Sequence, residues 1–276
     1  MYEWLLSHQL LSELLGITEP SLGEFLGRSV ANTPENLALA DLLWKYYERN
    51  GQHAAAAKIL DNLASMESDS ILLKQRIEYL ARAVMCMRSD TIGYSSHNGV
   101  LSKDLEDKLE IARIQKLILD KIESLNIDFD SQQNIQIKRH LVTQLNNKLY
   151  NITELYTDFT ENNLINLWEC KLTILNCSHH NDPLLIESVW INIIDNELNN
   201  ENANLLSPFE KSIRLLTKVQ SLSLEYGNSG HCFPLAFLVR ELEIRCCHLK
   251  LEQSPVPDKL VEMDLDIELL LDIYSR

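Results

Sequence analysis

Proline and glycine are scarce in this chain, at seven and eight of 276 residues. Sandwiches and barrels draw on both residues for their many tight turns, so an all-β fold is disfavoured. Long apolar runs are missing too. No stretch is long enough for a transmembrane helix. The first residues lack the basic region, apolar core and cleavage site of a signal peptide. Basic charge is in short supply: Lys and Arg total 25 against 40 Asp and Glu, a net charge of −15. Nucleic-acid binders carry a basic face that neutralises phosphates, so direct nucleic-acid binding is not expected. An acidic balance suits basic or neutral protein partners.

Chemistry is thinly represented as well. No Gly-rich phosphate loop, nucleophile elbow or His-Glu-x-x-His helix occurs. Cys170, Cys177, His179 and His180 offer metal-type donors, but no Cys-x-x-Cys knuckle, so a helix end with two exposed histidines is expected. Cys246, Cys247 and His248 point in three directions around a helix and cannot converge on one ion. With Cys86 and Cys232, these cysteines show no disulfide framework and read as reduced thiols of a cytosolic or nuclear protein. The sequons at Asn151 and Asn176 then carry no meaning. Asp128 and Asp130, and the cluster Asp264, Asp266 and Glu268, read as solvated carboxylates rather than a catalytic pair. No catalytic, cofactor or metal residue is assigned.

What the chain has in abundance is helical periodicity. Around Pro34–Arg49, Leu39, Ala40, Leu43, Trp44 and Tyr47 recur at helical spacing, and only Asp41, Lys45 and Glu48 form a polar stripe. A helix so widely apolar belongs in the middle of a stack, with Trp44 buried. Asn50-Gly51 ends it, since glycine takes the left-handed cap cheaply. A second helix carries Ala54 to Ala57, which let a neighbouring backbone approach closely; a third puts Leu73, Ile77, Leu80, Val84 and Met87 on one seam. The four tryptophans, Trp4, Trp44, Trp168 and Trp190, sit at apolar helical positions and are read as packing residues.

The rest follows suit. A helix is expected over Met1–Gly16, and Thr33-Pro34 reads as a helix start. Residues 90–100 form the clearest loop, and a long helix over Ser102–Leu125 follows. After a polar break at Asn126–Asn134, another helix runs from Ile135 to Lys148. Pro183 opens a later helix, and Ser207-Pro208-Phe209-Glu210 is a capping box. The acidic tail, residues 258–274, is expected as one helix with Leu260, Met263, Ile267, Leu270 and Tyr274 on its seam; it either caps the stack or receives a partner. No fixed-period repeat is visible. The expected fold is all-α: an irregular α-helical solenoid of about a dozen antiparallel stacked helices, one segment over residues 1–276.

Several strings carry a resemblance. They include Leu43-Trp44-Lys45-Tyr46-Tyr47-Glu48-Arg49-Asn50-Gly51 and Gln75-Arg76-Ile77-Glu78-Tyr79-Leu80-Ala81-Arg82-Ala83. Leu105 to Gln115, Leu167-Trp168-Glu169-Cys170, Phe233-Pro234-Leu235 and Arg240-Glu241-Leu242-Glu243 follow in order. Together they resemble the C-terminal solenoid of the large inner-ring scaffold nucleoporin of the nuclear pore complex, the class of about 155 to 170 kDa, far above a single domain. In that family Tyr2-Glu3-Trp4-Leu5 is interior sequence, so Met1 is expected to begin a fragment or a shortened relative without the family's β-propeller. The resemblance implies a non-enzymatic scaffold in the nuclear envelope that supports protein and RNA transport. It also implies partners: other nucleoporins, including phenylalanine-glycine-repeat linker nucleoporins. A vesicle-coat or trafficking-adaptor solenoid has the same helical-stack physics and is the alternative reading.

Overall fold

Helix follows helix in the computed structural model of the chain, which describes every residue except 1, 9, 18, 34, 90–95, 125–131, 161–166, 200–204, 252, 264, 266 and 276. Among the described residues there is no strand. The chain divides into two compact units, Met1–Glu154 and Leu155–Arg276.

The first unit runs α1 (Tyr2–Ser7), α2 (Leu11–Leu15), α3 (Pro20–Asn32), α4 (Leu37–Arg49), α5 (His53–Ser65), α6 (Leu73–Ser89), α7 (Ser96–Ser124), α8 (Gln132–Asn147) and α9 (Ile152–Glu154). From α3 to α8 each helix packs on the next. α4 lies in the middle, as its wide apolar face requires. Leu42, Leu43 and Tyr46 enter a cluster with Leu14, Leu22 and Leu26, while Ala40 and Trp44 enter another with α5, α6 and α7. Trp44 is 3% exposed, its Nε1 donates to Asp41 Oδ1 at 2.9 Å, and the Arg82 guanidinium lies 4.6 Å from its ring. Ala56, Ala57 and Ala64 of α5 are buried with Ala83 of α6. The absence of larger side chains there brings two backbones together, as the alanine run predicts.

The turn after α4 forms as read from Asn50-Gly51. Gly51 adopts φ +71°, its N–H donates to Glu48 O, and Gln52 N–H donates to Tyr47 O. That pair of bonds satisfies carbonyls the helix end would otherwise leave open.

Four boundaries differ from the sequence reading in ways that matter for packing, beside the earlier start of α8 at Gln132 rather than Ile135. The helix expected over Met1–Gly16 is two, because Ser7 Oγ and His8 Nδ1 engage Trp4 O at 2.9 and 2.8 Å and stop α1 there. Trp4 stacks on the His8 ring at 4.3 Å and is 56% exposed, so it is not a core residue. Thr33 ends α3 rather than starting α4: its N–H and Oγ1 both donate to Ser29 O. Asn36 caps α4 instead, its side chain accepting from Leu39 N–H. α7 begins at Ser96, inside the segment read as a loop, and runs 29 residues, about 44 Å at 1.5 Å per residue. Residues 90–95 lie outside the described residues.

The second unit opens with a wider π-helical turn, Leu155–Thr160, then α10 (Trp168–Cys177), α11 (Pro183–Asn199), α12 (Pro208–Tyr226), α13 (Leu235–His248), α14 (Val256–Val261) and α15 (Ile267–Ser275). One core joins them, centred on Trp190, whose Nε1 donates to Cys232 O at 2.9 Å and whose ring meets Phe233 edge-on. The capping box forms: Glu210 N–H donates to Ser207 Oγ, and Ser207 N–H donates back to Glu210 Oε2. Asp182 Oδ1 accepts from Leu184 and Leu185 N–H ahead of α11.

The fourth difference is the tail. It is two helices, not one over 258–274. Leu260, Met263 and Leu270 all reach the core, while Ile267, on the same expected seam, is 58% exposed. A continuous helix would carry Ile267 inward with them; the turn at Glu262 and Met263 is what lets the other three pack.

Candidate functional site

α12 and α13 leave a cleft beside the tail, and the tail forms its opposite wall. Its volume is about 1050 Å³, slightly above the roughly 300–1000 Å³ of small-molecule sites. Phe233, Val239 and Met263 supply a buried apolar floor. Leu224 on α12 and Leu269 on α15 stand at the rim, 84% and 46% exposed. Arg240, Glu243 and Asp272 are its charged groups. An apolar floor with a few polar points suits an extended segment with alternating apolar side chains, which would gain by burying the rim leucines.

Glu243 organises the wall. Its Oε2 accepts from Ser254 Oγ at 2.7 Å, just ahead of α14, and its Oε1 accepts from Tyr274 OH at 2.7 Å in α15. Ser254 Oγ in turn accepts from Val256 N–H at 3.3 Å. Burial, reinforced by the bond to the Glu243 carboxylate, pushes the Tyr274 phenol well above its ordinary value. One carboxylate on α13 thus ties both ends of the strap formed by α14 and α15.

The residues weighed from sequence as donors lie elsewhere. Cys170 is buried in α10, Cys177 is half-buried, and His179 and His180 are exposed at the helix end. His179 takes φ +50° as the residue that turns the chain out of α10. Cys246 is buried, and Cys247 and His248 are exposed. Among the described residues, no three His, Cys, Asp or Glu side chains group to hold a metal ion. Glu268 is exposed; Asp128, Asp130, Asp264 and Asp266 lie outside the described residues. No helix among those described is long and apolar enough to cross a membrane. Sequence reading passed over Glu243 and Leu224. The only local signal was Leu224's place opposite the buried seam of α12.

The chain matches the family model described as non-repetitive/WGA-negative nucleoporin C-terminal over residues 1–276. It is 54% identical to nuclear pore complex protein Nup154 of Drosophila melanogaster over its whole length, and 26% identical over 259 residues to nucleoporin NUP170 of Saccharomyces cerevisiae. It spans only 19% and 16% of those two relatives. Among solved structures, the Chaetomium thermophilum Nup170 C-terminal domain covers 99% of the chain with a TM-score of 0.78 at 22% identity. The complex of that domain with Nup145N matches with a TM-score of 0.75. This chain covers 53% of the domain in each case, and the likeness establishes the helical solenoid fold.

Proposed function

Because the chain belongs to the non-repetitive/WGA-negative nucleoporin C-terminal family, we propose that it is a non-catalytic scaffold segment of the nuclear pore complex, acting over residues 1–276 at the nuclear envelope. Its task is to hold other nucleoporins, including phenylalanine-glycine-repeat linker nucleoporins, and so to support transport of protein and RNA. The observation that carries this reading is the 54% identity to Nup154 over all 276 residues. Docking is assigned to the cleft of the second unit. The Nup170 domain is a structural neighbour and was crystallised with Nup145N, which supports a nucleoporin segment as the occupant.

Affinity capture with the tagged chain tests the assignment. Recovery of nucleoporins supports it, and recovery of vesicle-coat subunits in their place would favour the adaptor reading. For the cleft, a synthetic peptide from Nup145N is titrated against the chain. Leu224→Asp and Leu269→Asp should each weaken binding about tenfold or more, the scale of a lost apolar anchor. Affinity unchanged in both variants would move docking to another surface.

A further inference from the structure

The chain holds two Ser-Pro steps, Ser207-Pro208 and Ser254-Pro255. Their hydroxyls have different surroundings. Among the described residues the Ser207 hydroxyl bonds within its own capping box, donating from Oγ to Glu210 Oε2 and accepting from Glu210 N–H. A phosphate there would sit at the start of α12, where an anion is favoured. Ser254 lies in the non-helical link between α13 and α14, partly exposed, and donates its only hydroxyl proton to Glu243. We propose that Ser254 is a phosphorylation site for a proline-directed serine kinase, and that its modification releases the α14–α15 strap.

In the step itself, the Ser254 oxygen forms a bond to the γ-phosphorus of ATP. The bond from that phosphorus to the β,γ-bridging oxygen breaks, ADP leaves, and the hydroxyl proton passes to the kinase's base. The product has lost the proton that bridged to Glu243 and carries close to two negative charges beside that carboxylate. Two basic side chains of these elements already face other carboxylates, Lys259 pairing with Glu262 and Arg245 with Asp195 and Glu241, while exposed Arg240 stands on the cleft side of α13. Repulsion therefore moves Glu243 and Ser254 apart. Because Glu243 also holds Tyr274, α15 loses this hydrogen bond to α13 in the same event. The strap carries Met263, Leu269 and Asp272, which line the cleft, so its release dismantles the site. That last consequence rests on the docking reading above; release of the strap does not.

The test treats the purified chain with a proline-directed kinase and magnesium ATP. Mass spectrometry maps the phosphate, and amide hydrogen exchange follows residues 267–275. The expected result is phosphate on Ser254 and exchange in α15 faster by about tenfold or more, since local opening sets that rate. Ser254→Ala should keep the slow exchange after kinase treatment. Glu243→Gln should blunt the increase, because an amide does not repel the phosphate. Modification of Ser207 without Ser254 would overturn the proposal, and so would full Ser254 phosphorylation with α15 exchange unchanged. Linker-peptide affinity is measured on the same samples. Faster exchange with unaltered peptide binding would sink the cleft as docking site and leave the latch standing; slow exchange in the phosphorylated chain would sink the latch alone.

Discussion

Arg76 and Gln115 hold the same helix end from two different helices. Gln115 Nε2 on α7 donates to Leu145 O at 2.7 Å and Lys148 O at 2.8 Å, and its Oε1 accepts from Tyr150 N–H at 3.0 Å. Arg76 on α6 donates from Nε to Asn146 O at 3.1 Å and from Nη2 to Asn147 O. The same guanidinium also donates to Ala64 O at 2.8 Å, to Met66 O and to Ser68 O, at the end of α5. Both side chains are fully buried. A buried cation is tolerated here because it faces the negative ends of two helix dipoles and carbonyls that have no further helix to bond. Burial still pushes its pKa down, with Glu67 opposing.

Removing this clamp should be costly. Arg76→Met leaves the carbonyl ends of α5 and α8 unpaired in the interior, and about 3–5 kcal/mol of stability should be lost, the scale of breaking a buried charged network. Arg76→Lys keeps the charge and loses the fork, and should also destabilise. Urea unfolding followed by circular dichroism reads both.

Two tryptophans should behave oppositely. Trp44→Ala should cost about 3–5 kcal/mol, since it empties a core position. Trp4→Ala, on an exposed helix face, should stay within about 1 kcal/mol. Equal losses in thermal or urea unfolding would contradict the burial of Trp44 at 3% and the exposure of Trp4 at 56%.

Glycines within α3 make a sharper comparison. A Cβ at Gly23 would lie 2.8 Å from Tyr46 Cε1, and that ring is pinned by its hydroxyl bond to Glu19 O at 2.7 Å. Gly23→Ala should therefore destabilise by about 1–3 kcal/mol, as overpacking does. A Cβ at Gly27 would meet nothing within 4 Å, so Gly27→Ala should stabilise by roughly 0.5–1 kcal/mol through helix propensity. Melting temperatures moving the same way in both variants would refute this.

Deleting residues 258–276 strips Leu260, Met263 and Leu270 from the core of the second unit. A large fall in melting temperature is expected, together with increased binding of a hydrophobic dye to the uncovered floor. A tail that could be removed with no thermal effect would not be the cap of this unit.

Alkaline pH should weaken the fold. Burial raises the thiols of Cys86 and Cys246 from an ordinary value near 9 to about 11, and Tyr226 and Tyr274 rise too. Each group therefore holds its proton more tightly folded than unfolded. Between about pH 9 and 11 the folded chain binds more protons, so stability falls as pH rises through that window. Urea midpoints at pH 7, 9 and 10.5 measure the decline. In the same range exposed Cys247 should be alkylated well before Cys86 or Cys246.

Much of this molecule was determined by local sequence. The period of apolar residues dictated helices, because a stripe at that spacing can be buried only by a helix. Ser207 to Glu210 and Asn50-Gly51 specified their caps, since the side chain or the free φ needed lies within a few residues of the backbone it serves. Trp44 was legible for the same reason: an α4 apolar on most sides leaves no solvent face for it. Tertiary structure decided the rest. Thr33 could cap forward or close backward, and packing of α3 on α4 chose the latter. The tail's seam is equally regular with or without a break, and only a core that accepts Leu260, Met263 and Leu270 but not Ile267 selects two helices. Arg76 and Gln115 look like ordinary surface residues of amphipathic helices. They are buried because carbonyls up to 71 positions away in the chain arrive beside them. The cleft and its Glu243 tie likewise depend on α13 meeting a strap whose tyrosine lies 31 residues on, a contact that no local pattern encodes.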